Sequence, residues 1–200
     1  KYSRLLSSSF VVSVVPSWLL FDWNEASVNI LFATAEAAPF CKTGGLGDVC
    51  GALPRELARL GHKPFVFLPA FRQTQQPGIP IEPTGIAVDV PIGQKMVRGH
   101  LLRSQLPGSG VPVYLIDQND YFDRPQLYRE DGEGYRDNCE RFTFYGRAVL
   151  EAIPLLGLDI DVVGGGTFAA GQAPNNFYGF AGNGGIGVPG RYLFDDKVRI

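Results

Sequence analysis

Apolar residues fall in short blocks along the chain, and the spacing within each block predicts an element. Residues 28–34 (Val-Asn-Ile-Leu-Phe-Ala-Thr) form a nearly continuous apolar run, the pattern of a strand buried on both faces of a parallel sheet. Pro39 interrupts regular structure, and a glycine turn follows at Gly44, Gly45 and Gly47. Val49, Leu53, Leu57 and Leu60 then recur at helical spacing, with Asp48 placed to cap that helix and Gly61 placed to stop it. Pro54 lies inside the pattern and predicts a kink or a shifted start. Residues 65–68 read as a second buried strand. Strand, glycine turn, helix and strand in succession make one βαβ unit.

Further along, residues 86–91 and 96–105 read as two strands of a hairpin turning at 92–95. Residues 111–116 form another apolar strand, and 117–136 are polar, aromatic and loop-like. A helix is predicted over 138–153, with Phe142, Tyr145, Val149, Ala152 and Ile153 near one face. A further strand begins in 158–163. The pattern then stops: residues 164–190 hold ten glycines and no charged residue, a low-complexity composition with no period to follow. The expected organisation is therefore a domain over 28–163, flanked by an extension at 1–27 and a glycine-rich tail at 164–200. The chain opens on Lys1 rather than Met. Both flanks are expected to lie outside the domain, the first upstream of a start at Val28 and the second read out of frame.

Composition narrows the class. A chain of 200 residues suits one domain, at most two. Hydrophobic content of 45% with 19% charged residues excludes a disordered polymer. A net charge of −2 with scattered basic residues argues against nucleic acid and against a polybasic membrane patch. The apolar stretch 10–15 is short, broken by Ser13 and followed by Pro16, which is poor material for a signal peptide. No stretch reaches the roughly 20 apolar residues of a membrane span. Cys41, Cys50 and Cys139 are odd in number and lack CxxC spacing. They suggest neither a disulfide framework nor a zinc site, and fit reduced thiols in the cytoplasm.

The segment that carries chemistry is Lys42-Thr43-Gly44-Gly45-Leu46-Gly47-Asp48-Val49, directly after the first strand. Glycines let backbone N–H groups approach a phosphate, and the start of the following helix favours an anion. Lys42 adds positive charge at the carboxyl edge of the sheet, where open α/β sheets bind ligands. The lysine precedes the glycines, so this is not a Walker A loop, and the spacing is not GxGxxG. A tight βα turn with a solvated Lys42 explains the same residues equally well.

A longer pattern favours the phosphate-binding reading. Val28-Asn29-Ile30-Leu31, then Glu36-Ala37-Ala38-Pro39-Phe40, then the 42–49 motif resemble the opening of bacterial glycogen synthases and plant starch synthases. Gly51-Ala52-Leu53-Pro54, Leu60-Gly61-His62 and Leu68-Pro69 continue the resemblance. So do Val113-Tyr114-Leu115-Ile116-Asp117, Tyr121-Phe122-Asp123-Arg124 and Tyr135-Arg136-Asp137-Asn138 with Arg141-Phe142. The resemblance runs in order over 28–163. It implies an α/β fold, the Rossmann-like N-terminal half of a two-domain glycosyltransferase of GT-B type. It also implies transfer of glucose from ADP-glucose to the non-reducing end of an α-1,4-glucan, with retention and without metal or cofactor. On this resemblance Lys42 contacts ADP-glucose, and Gly44 and Gly45 sit where the loop nears the phosphates. Asp48 either contacts sugar or caps the helix. Asp137 and Asn138 are the catalytic candidates, lining the glucan side with Tyr135, or else they begin the next helix as an ordinary cap. His62 and His100 match no family catalytic position.

Two departures matter. The family follows its Asp-Val-Val strand with His-x-x-Asp-Trp, whereas Asp161-Val162-Val163 is followed here by Gly164-Gly165-Gly166. The family's second domain is expected to be absent as well. The chain alone is therefore expected to be inactive. Two other readings stay open: a related enzyme using another nucleotide sugar, and a non-catalytic glucan-binding module whose Tyr121, Phe122 and Tyr128 stack on sugars, unless those rings are core. The expected location is the cytoplasm, or the plastid for a plant protein.

Overall fold

The computed structural model describes residues 27–74 and 78–166. The expectations for the N-terminal extension and for most of the glycine-rich tail thus fall outside the described residues. Eight strands form: β1 (Asn29–Thr34), β2 (Lys63–Pro69), β3 (Glu82–Ile92), β4 (Lys95–Gln105), β5 (Pro112–Asp117), β6 (Arg129–Glu130), β7 (Glu133–Gly134) and β8 (Val162–Gly166). Among the described residues three α-helices accompany them, α1 (Gly45–Arg59), α2 (Asn119–Phe122) and α3 (Asn138–Leu155), with one 3-10 turn at Arg72–Thr74.

Six strands make one sheet in the order β3-β4-β5-β2-β1-β8. The pairs β5·β2, β2·β1 and β1·β8 are parallel, while β3·β4 and β4·β5 are antiparallel. This is an α/β fold. The continuous apolar runs occupy the parallel centre, where Leu31, Val66, Phe67, Leu68, Val113, Leu115 and Ile116 are almost wholly buried. The four parallel strands end at one edge, and the connections at 35–44 and 118–137 gather there. An open α/β sheet places its ligand at that edge.

Three expectations change in detail. The stripe Val49, Leu53 and Leu60 faces outward, at 56%, 43% and 50% exposure, and the buried side of α1 is instead Gly47, Cys50, Gly51 and Pro54. The reason is close packing: a Cβ on Gly51 would stand 2.4 Å from the Ala38 carbonyl oxygen, and one on Gly47 would stand 2.9 Å from the Lys42 side chain. Helix α1 presses on the backbone of its own leading loop there, and of the predicted stripe only Leu57 packs against the core. Asp48 does not cap α1, because the helix begins at Gly45 with Gly44 at the cap position and Asp48 in the first turn. Strand β8 continues through Gly164, Gly165 and Gly166, which pair with Phe32, Ala33 and Thr34, so regular structure extends three residues into the glycine run.

Other signals stand. The α1 terminus closes with Gly61 at φ +94°, its N–H bonded to the Ala58 carbonyl and the His62 N–H bonded to the Leu57 carbonyl. That is a Schellman ending, which needs the left-handed conformation that glycine adopts freely. The predicted hairpin forms as β3 and β4, but β3 starts earlier than the apolar run because a register irregularity between Pro83 and Ala87 absorbs Gly85. Helix α3 buries Phe144, Tyr145, Ala148, Val149, Ala152 and Ile153, and seats Phe144 against Gly99 of β4.

Candidate functional site

The site begins where β1 ends. Thr34 Oγ1 donates to the Glu36 carbonyl (3.0 Å) and accepts from the Glu36 N–H (3.3 Å), fixing the first residues of the loop. The Glu36 side chain is 2% exposed. Its Oε2 accepts from the Thr43 N–H (2.6 Å) and the Gly44 N–H (3.2 Å), and its Oε1 accepts from Thr43 Oγ1 (2.6 Å) and Tyr128 Oη (2.7 Å). Burial by itself would raise the Glu36 carboxyl. The hydrogen bonds from Thr43, Tyr128 and Gly44 outweigh it and hold the group ionised, below its ordinary value. Tyr128 responds in the opposite sense: burial first, then the Glu36 carboxylate, keeps its hydroxyl protonated.

With the loop held from behind, its front is open. Glu36 takes the N–H of the cap residue Gly44, which has no side chain to cap the first turn, so the N–H groups of Gly45, Leu46 and Gly47 and the positive end of the dipole remain available to an anion. Gly44 is extended (φ −158°), a conformation any residue adopts. A Cβ on Gly44 or Gly45 would meet nothing within 4 Å. Neither glycine is therefore demanded by the packing of the protein, and both keep the floor of a pocket clear. That pocket encloses about 600 Å³ and is lined by Glu36, Lys42, Thr43, Gly44, Gly45 and Leu46 on one wall, with Gln73 and 126–129 opposite. The size suits a nucleotide-scale ligand. Lys42 Nζ lies 2.6 Å from Asp48 Oδ1, and both side chains are about half exposed, at 47% and 59%. An exposed pair of this kind is worth only about 0–1 kcal/mol, so a phosphate can draw Lys42 away at little cost.

The opposite wall is fixed from within. Arg141 is wholly buried. It donates from Nε to Asn138 Oδ1 (2.9 Å), from Nη1 to the Tyr121 carbonyl (2.6 Å) and from Nη2 to the Leu127 carbonyl. Its guanidinium also lies over the rings of Phe142 (4.7 Å) and Tyr135 (5.1 Å). Burial, reinforced by the like charge of Arg124, lowers Arg141 to about 10, and it remains a cation at neutral pH. Asn138 donates from Nδ2 to the Tyr128 carbonyl (2.9 Å). Asp137 is gripped by both terminal nitrogens of Arg124 (2.7 and 2.5 Å).

The sequence-derived site residues thus separate into two groups. Lys42, Gly44 and Gly45 line the pocket, with Asp48 alongside through its ion pair with Lys42. Asp137 and Asn138 do not line it; they begin α3 and brace the wall that contains Tyr128. Tyr121, Phe122 and Tyr128, the possible sugar-stacking rings, are 5%, 0% and 5% exposed and pack as core, although Tyr128 also borders the pocket. His62 sits at the end of α1, where Nδ1 accepts from the Val28 N–H (3.4 Å), and His100 faces outward from β4. Sequence reasoning did not pick out Glu36, Gln73, Gln126 or Arg129. Only Glu36 carried a signal, as a carboxylate directly after a buried strand and before a glycine loop.

The starch synthase catalytic domain signature matches residues 29–174. The chain belongs to the starch synthase catalytic-domain family. It is 46% identical over 145 residues to a glycogen synthase of Rhodopirellula baltica, covering 68% of this chain and 29% of that protein. It is 43% identical over 136 residues to a glycogen synthase of Syntrophotalea carbinolica, covering 68% of this chain and 28% of that one. In structure it resembles the catalytic domain of starch synthase IV from Arabidopsis thaliana bound to ADP and acarbose, with a TM-score of 0.62 and 27% identity over 70% of this chain and 28% of that one. The chain spans less than a third of the length of these relatives. The signature also extends past Val163, the expected domain end, and past the end of β8. Among the described residues no helix is long and apolar enough to cross a membrane.

Proposed function

We propose that this domain forms the acceptor-side half of a retaining glucosyltransferase that uses ADP-glucose to extend an α-1,4-glucan. In that reaction the bond between glucose C1 and the β-phosphate oxygen breaks. A bond forms from C1 to the O4 hydroxyl at the non-reducing end of the glucan, that hydroxyl loses its proton, and ADP departs. The observation that carries the reading is the glycine start of α1 opening, with Lys42 beside it, onto a nucleotide-sized pocket. Charge accumulates on the diphosphate as the C1 bond breaks, and N–H donors fixed in advance with a nearby ammonium stabilise it without reorganising. The starch synthase relative bound to ADP and acarbose supports the same pairing of ligands.

In this reading Lys42 leaves Asp48 for the phosphates, and Gly44 and Gly45 admit them. Asp48 holds Lys42 ready when the pocket is empty. Asn138 is a positioning residue that acts through the Tyr128 carbonyl, and Asp137 is one that acts through Arg124. Transfer also needs cationic and acidic groups from a second domain like that of the longer relatives, so the 200-residue chain alone transfers no glucose. The test is an NMR titration of the full chain with ADP-glucose and with UDP-glucose. Shifts confined to the amides of 43–47, stronger with the adenine donor, support the proposal. Equal shifts with both donors would favour the alternative nucleotide sugar, and no shifts at 43–47 would sink the reading. Labelled glucose entering glycogen with the chain alone would refute the prediction of inactivity.

A further inference from the structure

The pocket has two walls that belong to distant parts of the chain, and one side chain touches both. Three of the four hydrogen bonds to the Glu36 carboxylate come from the glycine loop, and the fourth comes from Tyr128 across the pocket. A carboxylate has about four acceptor positions, so this group is fully engaged within the protein. It is also too deeply buried, at 2% exposure, to serve an incoming ligand without breaking one of those bonds. Its own backbone is fastened to the end of β1 through Thr34. Tyr128 is anchored in turn, its carbonyl accepting from Asn138 Nδ2 (2.9 Å) and from the Tyr135 N–H (3.1 Å).

We propose that Glu36 is a positioning residue for the nucleotide-sugar site, tying the glycine loop to the 126–129 wall through the Tyr128 hydroxyl and so fixing the pocket's width. The inference rests on the functional reading above and adds to it a residue that touches no substrate. The three loop bonds set the shape of the Thr43–Gly44 backbone, and the single Tyr128 bond sets the separation of the walls. The two duties can therefore be separated by substitution. Tyr128→Phe removes the cross-pocket bond and keeps the buried ring. Thr43→Val removes one loop bond and keeps the backbone donors. Glu36→Gln puts an amide NH₂ where an oxygen must accept from N–H groups, and disrupts both duties.

The experiment measures amide hydrogen exchange and ADP binding by NMR on the full 200-residue chain and these three variants, with the thermal midpoint as control. Glu36→Gln is expected to speed exchange at Thr43 and Gly44 by about tenfold or more, the loss expected for a charge-assisted hydrogen bond. Tyr128→Phe is expected to leave those two amides within about twofold of wild type, to weaken ADP binding roughly fivefold and, because a buried carboxylate loses one donor, to lower the midpoint modestly. A purely structural role for Tyr128 would lower the midpoint and leave affinity intact. Unchanged exchange at Thr43 and Gly44 in both Glu36→Gln and Thr43→Val would overturn the proposal, as would wild-type affinity in Tyr128→Phe. Should Glu36→Gln not fold, Thr43→Val and Tyr128→Phe decide the matter alone. Failure of the wild-type chain to bind ADP would count against the functional reading, while exchange would still show whether Glu36 orders the loop.

Discussion

Helices α1 and α3 both begin at the carboxyl edge of the sheet in polar sequence, and they use that polarity in opposite ways. At α1 the cap residue is a glycine whose own N–H is taken by Glu36, the pocket floor in front of it is glycine, and the Lys42–Asp48 ion pair beside it is exposed. At α3 the polar side chains Arg124, Asp137, Asn138 and Arg141 are bonded to one another or to backbone carbonyls. A polar helix start is thus not in itself a site. What distinguishes the two is whether the donors face open space or are already satisfied by the protein.

The sharpest way to break that contrast is at Arg141. Replacing it by Met leaves the Tyr121 and Leu127 carbonyls and Asn138 Oδ1 without donors, each buried and each costly. A loss of about 3–4 kcal/mol is expected in a denaturant titration. A loss under about 1 kcal/mol would mean that water replaces the guanidinium and that the wall is not braced as described.

A smaller effect separates glycines that the fold requires from glycines that the pocket requires. Gly51→Ala forces a methyl group against the Ala38 carbonyl and is expected to cost about 1–3 kcal/mol. Gly45→Ala meets nothing, so its stability should stay within about 1 kcal/mol of wild type, on the favourable side given the helix preference of alanine. Its ADP binding should nevertheless weaken. Equal stability losses at the two positions would erase the distinction.

Glu36 gives the next effect, read from pH. Its folded-state pKa lies below the ordinary 4.5, so its contribution to stability is fully present above that value and fades as pH falls through the lowered one. Wild type should therefore lose more stability than Glu36→Gln as pH drops below about 4.5. Parallel curves would show that the carboxylate is not preferentially ionised in the fold. The smallest effect belongs to Asp48→Asn, where loss of an exposed pair should change stability by less than about 1 kcal/mol and leave Lys42 able to bind a phosphate.

Much of this fold was legible in the residues because its signals are local. The apolar runs of β1, β2 and β5 specified buried strands, Gly61 specified the end of α1, and the hairpin turn followed from residues 92–95. The ordered motifs also pointed to the family that the signature match established. The stripe of α1 misled at Val49, Leu53 and Leu60, though not at Leu57, because helical spacing identifies a face but not its partner. The outward orientation of those three depends on the loop at Ala38, which occupies the space beneath the helix. Glu36 and Tyr128 lie 92 positions apart, and nothing local marks them as a pair.

Local patterns in the residues specify which segments form strands and helices, where a phosphate-sized opening could arise, and which family the chain resembles. Those features depend on backbone preferences and on patterns within a few neighbouring residues. Which polar groups stay available and which are satisfied is fixed by the folded packing: Lys42 with Gly44 and Gly45 on the open side, Asp137 and Asn138 on the braced side. The physical reason is that the availability of a donor or a charge depends on what folds against it, and those partners come from parts of the chain that meet only when the sheet assembles.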